Sequence, residues 1–230
     1  MLRSHTWARR GRVKLPRGYE PVTRRLVEIA DEIRAIAGTG LHYTDGHHDR
    51  ERYERLAALA AELGSLASGE DPVRLAALYR KADDGYVTPK IDVRMAVLRD
   101  DRVLLVQERA DERWALPGGW ADVGDAPSEA AVRETLEEAG LAVRCSRLVG
   151  LFDYRLQPEA PPMLFHTYKL VFLGELVDGN ARPAPGPEVL AASFHPLAGL
   201  PDLSPGRTLP LHIREAVRVG ADAGALPHVD

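Results

Sequence analysis

The chain has 230 residues, 45% of them apolar, which is enough for one large domain or for a medium domain and a small one. Its net charge of −4 is uneven: residues 1–18 carry six Lys or Arg (Arg3, Arg9, Arg10, Arg12, Lys14, Arg17) and no acid, leaving 24 basic against 34 acidic residues in the rest. An acidic body argues against a general nucleic-acid-binding surface, and with no apolar run of about 18 residues and no secretory pattern, neither a membrane span nor a signal peptide is expected.

The cytoplasm is the expected compartment, and the single cysteine, Cys145, reads as a core thiol in a strand-like segment. Residues 1–18 read as a disordered basic tail. From Glu20 to Ala37, Val22, Leu26, Ile29, Ile33 and Ile36 recur at helical spacing, and Gly38 and Gly40 are expected to end that helix. A second helix is expected from about Asp49 to Leu66. Asp71-Pro72 then supplies a cap and a first-turn proline for a third. These helices, over residues 19–80, are too small to bury a core alone and call for a partner surface. The turn-rich segment 81–90 is the expected linker.

Beyond it the period changes. Ile91, Val93, Met95 and Val97 alternate with Asp92, Arg94 and Ala96, and Asp100-Asp101 turns the chain into Val103 to Arg109, predicting a hairpin. Further strands are expected at Val143 to Tyr154, Phe165 to Leu173 and near Ser193 to His195. Helices are expected at Pro127 to Ala139 and Leu209 to Gly220, with Pro183 to Pro187 as a loop and residues 223–230 as a tail. Strands mixed with two helices imply an α+β domain over 91–222, its sheet covered on both faces.

The chemistry is concentrated between Leu116 and Leu141. A glycine-rich loop (Leu116-Pro117-Gly118-Gly119-Trp120) leads into a helix on which Glu134, Glu137 and Glu138 stand at i, i+3 and i+4, so that three carboxylates share one face. No lysine stands at i+4 to balance them, and Arg133 is the only base nearby. Hard divalent cations suit an oxygen-only donor set, and the loop glycines let a backbone carbonyl such as that of Gly119 approach.

The spacing resembles the signature of the Nudix hydrolases: Gly, five residues, Glu, seven residues, Arg-Glu, an apolar residue, any residue, Glu-Glu, any residue, Gly and an apolar residue. It falls here on Gly119, Asp125, Arg133, Glu134, Thr135, Glu137, Glu138, Gly140 and Leu141. Asp125 stands where the family has Glu, and Thr135 where an aliphatic residue is usual. With the helical module, the stretch from Gly85 to Arg94 and Leu200-Pro201-Asp202-Leu203-Ser204, the chain is similar to the subfamily of CDP-choline pyrophosphatases and ADP-ribose hydrolases with an N-terminal helical domain.

That resemblance implies an α/β/α sandwich around a mixed sheet, a small helical domain that joins two subunits into a homodimer, and Mg²⁺ or Mn²⁺ held by Glu134, Glu137, Glu138 and the Gly119 carbonyl. Arg133 would orient Glu134 and tie down the loop. The implied reaction is hydrolysis of the diphosphate bond of a nucleoside diphosphate derivative, giving a nucleoside monophosphate and a phosphorylated group. Glu134, Glu159 and Glu188 are alternative general bases. Arg94, Arg109, Arg155 and Glu188 are the candidate substrate contacts. Trp114, Tyr154 and Tyr168 are core or base-stacking aromatics, and His166 and His195 are expected in packing roles. Two rival readings stay open: hydrolysis of oxidised nucleoside triphosphates or RNA ends, and nucleotide sensing without turnover.

Overall fold

The computed structural model describes residues 20–83 and 85–230; the basic tail 1–18 lies outside them. Two compact units divide the described residues: one comprises 20–90 with 161–166, the other 91–160 with 167–230.

The first unit holds three helices, α1 (Glu20–Tyr43), α2 (His47–Ser68) and α3 (Pro72–Ala82). Asp71 caps α3 as its spacing predicts, its side chain accepting from the Arg74 amide at 2.9 Å. One expectation is corrected: α1 does not stop at Gly38 and Gly40 but continues through both to Tyr43. Both glycines lie where another part of the unit presses against the helix. A Cβ on Gly40 would come within 2.4 Å of the Tyr53 ring, and one on Gly38 within 3.1 Å of Val87. The missing side chain therefore makes room for a neighbour, and tertiary packing overrides the helix-stop signal.

Ala60, Ala61, Leu75 and Tyr79 form the buried centre of this unit, and Leu164 and Phe165 pack against it. Segment 161–166, far away in sequence, thus belongs to the helical unit. Val87, in the segment expected as a linker, donates its amide to Thr39 Oγ1 at 3.2 Å, so that stretch lies along α1.

The second unit is a mixed sheet between two helices. Its strands are β1 (Lys90–Arg99), β2 (Arg102–Glu108), β3 (Trp114–Ala115), β4 (Gly118–Trp120), β5 (Val143–Asp153), β6 (Thr167–Leu176), β7 (Val189–Pro196) and β8 (His228–Val229), with α4 at Pro127–Ala139 and α5 at Pro210–Ala221. The order is β3-β2-β1-β6-β5-β8, with β4 also paired to β1 and β7 to β2. Strand β8 runs parallel to β5 while β1–β2, β2–β7 and β5–β6 are antiparallel. The last residues, expected as a tail, are thus drawn onto the sheet.

Each sheet face has its own core. Val93, Met95 and Val97 pack with Ala130, Ala131 and Ala139 of α4. Ala96, Val103 and Leu105 pack with Ile213, Ala216 and Val219 of α5. Because helices cover both faces, the polar positions of the β1 alternation are buried too: Asp92 is 4% and Arg94 3% exposed. Among the described residues no helix is long and apolar enough to cross a membrane.

Candidate active site

The glycine turn is built against β1. Trp120, Gly119 and Gly118 of β4 pair with Asp92, Val93 and Arg94, and the Met95 amide donates to the Pro117 carbonyl at 2.9 Å. Gly118 has φ +142°, and a Cβ there would lie 2.0 Å from the Val93 carbonyl oxygen, so only glycine allows this approach.

Helix α4 starts at Pro127 and ends on Gly140 in the left-handed region, whose amide donates to the Leu136 carbonyl. The carbonyls of its last turn, orphaned by the end of the helix, accept from the Pro-rich loop: Gly186 N bonds Glu138 O at 3.0 Å, and Ala184 N bonds Ala139 O at 2.8 Å. That loop therefore fixes the helix end that carries the glutamates. Thr135 is fully buried, its hydroxyl donating to the Ala131 carbonyl at 2.7 Å, so a polar residue at an apolar position leaves no group unsatisfied.

The three glutamates differ in surroundings. Glu138 is buried, its Oε2 accepting from the Gly118 amide at 2.9 Å. Burial pushes its carboxyl up to about 8, against the opposing influence of Arg94 and that amide. Glu134, with a side chain 15% exposed, is likewise raised by burial, partly offset by Arg133. Glu137 is open to solvent.

Arg133 Nη1 donates to Glu134 Oε1 at 2.9 Å and to Glu137 Oε2 at 3.1 Å, and Nη2 donates to Asp125 Oδ2 at 3.2 Å. Three carboxylates thus share one guanidinium, a surplus of negative charge that a divalent cation suits. As they stand, Glu134 and Glu137 are held by Arg133 and Glu138 by the Gly118 amide; among the described residues no three acidic, imidazole or thiol groups converge on one point. Donor chemistry and charge make the set fit for a hard cation: carboxylate oxygens lie on one helix face, and Glu134 lies 3.5 Å from where a Gly119 Cβ would stand.

Beneath the turn lies a buried ionic network that the spacing did not reveal. Arg94 grips Asp92 with two hydrogen bonds, Nε to Oδ1 at 2.9 Å and Nη2 to Oδ2 at 2.8 Å, and donates Nη1 to the Leu116 carbonyl at 3.1 Å. Lys169 Nζ stands 3.1 Å from Asp92 Oδ1 as an ion pair without hydrogen-bond geometry, and burial lowers it to about 8. Burial alone would raise the Asp92 carboxyl, but Arg94 and Lys169 outweigh it and hold it below its ordinary value. Glu108, raised by burial, pairs with Arg207 at 3.0 Å. The sequence signal for this network was the pair of charged residues, two apart, inside a strand otherwise apolar.

The expected substrate contacts stand in different surroundings. Arg94 is buried and committed to Asp92 and Leu116, which corrects its reading as a substrate contact. Arg109 donates Nε to the Pro187 carbonyl at 3.1 Å, and Glu188 is exposed. Arg155 is half-buried, its amide donating to Asp153 Oδ1 at 2.9 Å. The aromatic and histidine candidates are largely engaged in packing. Tyr154 is buried, with its hydroxyl donating to the Pro205 carbonyl at 3.1 Å. Trp114 stands edge-on to His195 at 4.2 Å, and the His166 amide donates to Asp31 Oδ2 at 2.8 Å within the helical unit.

Comparison with known proteins agrees with this geometry. Residues 88–212 match the model of the NUDIX domain, and residues 24–79 match that of a UDP-X-like, N-terminal oligomerisation domain. The chain is 40% identical over 189 residues to the putative ADP-ribose pyrophosphatase YjhB of Bacillus subtilis, covering 82% of this chain and 89% of that one. It is 30% identical over 122 residues to an ADP-ribose pyrophosphatase of Methanocaldococcus jannaschii, covering 52% and 69%. Among solved structures, a UDP-X diphosphatase superposes with a TM-score of 0.54 at 31% identity, covering 90% of this chain and 99% of that one. An ADP-ribose pyrophosphatase from Streptococcus suis gives 0.56 at 32% identity, covering 62% and 100%.

Proposed function

The chain belongs to the Nudix hydrolases and is a pyrophosphohydrolase, and from that premise we propose that it hydrolyses the diphosphate bond of a nucleoside diphosphate derivative of the ADP-ribose, CDP-choline or UDP-X type. The products are a nucleoside monophosphate and a phosphorylated group. The observation that carries this reading is the set of three glutamates on one face of α4, two of them sharing Arg133 and the third held by the glycine turn.

In this reading Glu134, Glu137, Glu138 and the Gly119 carbonyl would hold Mg²⁺ or Mn²⁺. When bound, such a cation offsets the charge of the diphosphate and makes water a better nucleophile at neutral pH. The protein's own groups do the rest. Arg133 holds Glu134 and Glu137 in place through charge-assisted hydrogen bonds, and Asp125 keeps that guanidinium turned toward them. The Gly118 amide fixes one oxygen of Glu138. Among the three candidate bases, Glu134 is favoured to take the water's proton: it is sheltered and stands beside Gly119, whereas Glu159 and Glu188 are exposed. The helical unit, residues 20–90 with 161–166, serves as the association module, the unit of 91–160 and 167–230 is the catalytic one, and the oligomer is a homodimer.

A phosphate-coupled assay over ADP-ribose, CDP-choline, UDP-sugars and oxidised nucleoside triphosphates, with Mg²⁺ or Mn²⁺, tests the reading. Turnover of a diphosphate derivative is expected, falling at least about a hundredfold in Glu138→Gln. Turnover confined to triphosphates, or full activity in Glu138→Gln, would sink it.

A further inference from the structure

Leu116 immediately precedes the Pro117-Gly118-Gly119 turn, and both of its backbone groups are held by side chains from elsewhere in the catalytic unit. Its carbonyl accepts from Arg94 Nη1 at 3.1 Å, and its amide donates to Thr208 Oγ1 at 2.9 Å. Two residues on, the Gly118 amide holds Glu138. Arg94 and Asp92 are almost wholly buried and bonded to each other at both ends of a fork, so the guanidinium has one orientation. Glu108, whose carboxylate lies 4.0 Å from Arg94 Nη1, flanks it on the other side.

We propose that Arg94, braced by Asp92, is a positioning residue for the hydrolysis: by fixing the Leu116 carbonyl it sets the direction of the Gly118 amide and so the place of the Glu138 carboxylate. The inference rests on Glu138 being needed for turnover. It assigns Arg94 a task through the turn rather than through the substrate, which its burial rules out as the structure stands. Lysine at this position keeps the charge but lacks the fork that reaches Asp92 and Leu116 together.

The test compares Arg94→Lys and Thr208→Val with Arg147→Lys. Arg147 also bonds backbone carbonyls, those of Val219 at 2.8 Å and Asp222 at 2.9 Å, but lies away from the turn. Arg94→Lys is expected to lower kcat about 10- to 100-fold with KM within about threefold, as loss of an outer partner does at metal sites. Thr208→Val is expected to lower kcat several-fold. Arg147→Lys is expected to lower the melting temperature and leave kcat alone. Amide exchange at Gly118 is expected to quicken in Arg94→Lys and not in Arg147→Lys.

The proposal falls if Arg94→Lys keeps its kcat, or if Gly118 exchanges at the native rate in it; should that variant not fold, Thr208→Val decides on the same two readouts. A native chain with no turnover but faster Gly118 exchange in Arg94→Lys would leave the clamp standing and remove the proposed function.

Discussion

Two buried arginines, one in each unit, are built alike and do different work. On α1, Arg34 is 5% and Asp31 3% exposed, three residues apart on one helix face; on β1, Arg94 and Asp92 are two apart on one strand face. In each case the aspartate takes two guanidinium nitrogens and leaves one arm for a distant segment. Arg34 sends that arm to the Asp83 carboxylate at 2.8 Å, and its plane lies over the Phe165 and Tyr79 rings at 5.0 and 5.5 Å. Asp31 meanwhile accepts the His166 amide. Arg94 instead sends its arm to a backbone carbonyl in the glycine turn. The same motif fastens segment 161–166 to the helices in one unit and aims a carboxylate in the other, so the first is expected to govern stability and the second turnover.

The largest effect expected from breaking this parallel is in Arg34→Ala, which removes the cation that pairs with the buried Asp31 and the half-buried Asp83 and costs about 3–5 kcal/mol. Chemical denaturation measures that loss, and amide exchange over 161–166 should quicken with it. Loss of turnover without loss of stability would show that the helical arginine does catalytic work and would break the contrast.

A second effect separates the units by pH. His212 of α5 is wholly buried; its Nδ1 accepts from the Leu209 amide at 3.2 Å and its Nε2 has no partner among the described residues. Burial, with Lys169 nearby, lowers its pKa to about 3. The folded state therefore holds His212 neutral where the unfolded chain would protonate it. Stability is complete above the unfolded value near 6.5 and is lost as pH falls from there toward about 3, at a slope approaching 1.4 kcal/mol per pH unit for one proton. Denaturation curves between pH 7 and 4 should show this slope, reduced in His212→Leu; an unchanged slope would move its origin elsewhere.

The smallest effect sharpens the helical side. Gly40→Ala should gain about 1 kcal/mol from helix propensity alone, but the 2.4 Å approach of the Tyr53 ring predicts a net loss of about 1–2 kcal/mol through overpacking. Thermal unfolding gives the sign directly.

The sequence by itself determined what depends on neighbours along the chain. The stripe of α1, the Asp71 cap, the β1–β2 hairpin and the common face of Glu134, Glu137 and Glu138 all follow from the fixed periods of helix and strand. Only the tertiary structure decided what depends on groups distant in sequence. Gly38 and Gly40 look like helix stops until Val87 and Tyr53 are seen pressing on them. Phe165 and His166 look like the start of a strand until Phe165 is found among the helices and the strand begins at Thr167, and residues 223–230 look like a tail until β8 pairs with β5. Arg94 is the sharpest case. The sequence offers it as a substrate contact, yet once helices cover both faces of β1 a charge at that position must be buried and paired, and the partners that pair it come from Leu116, 22 residues away, as well as from Asp92.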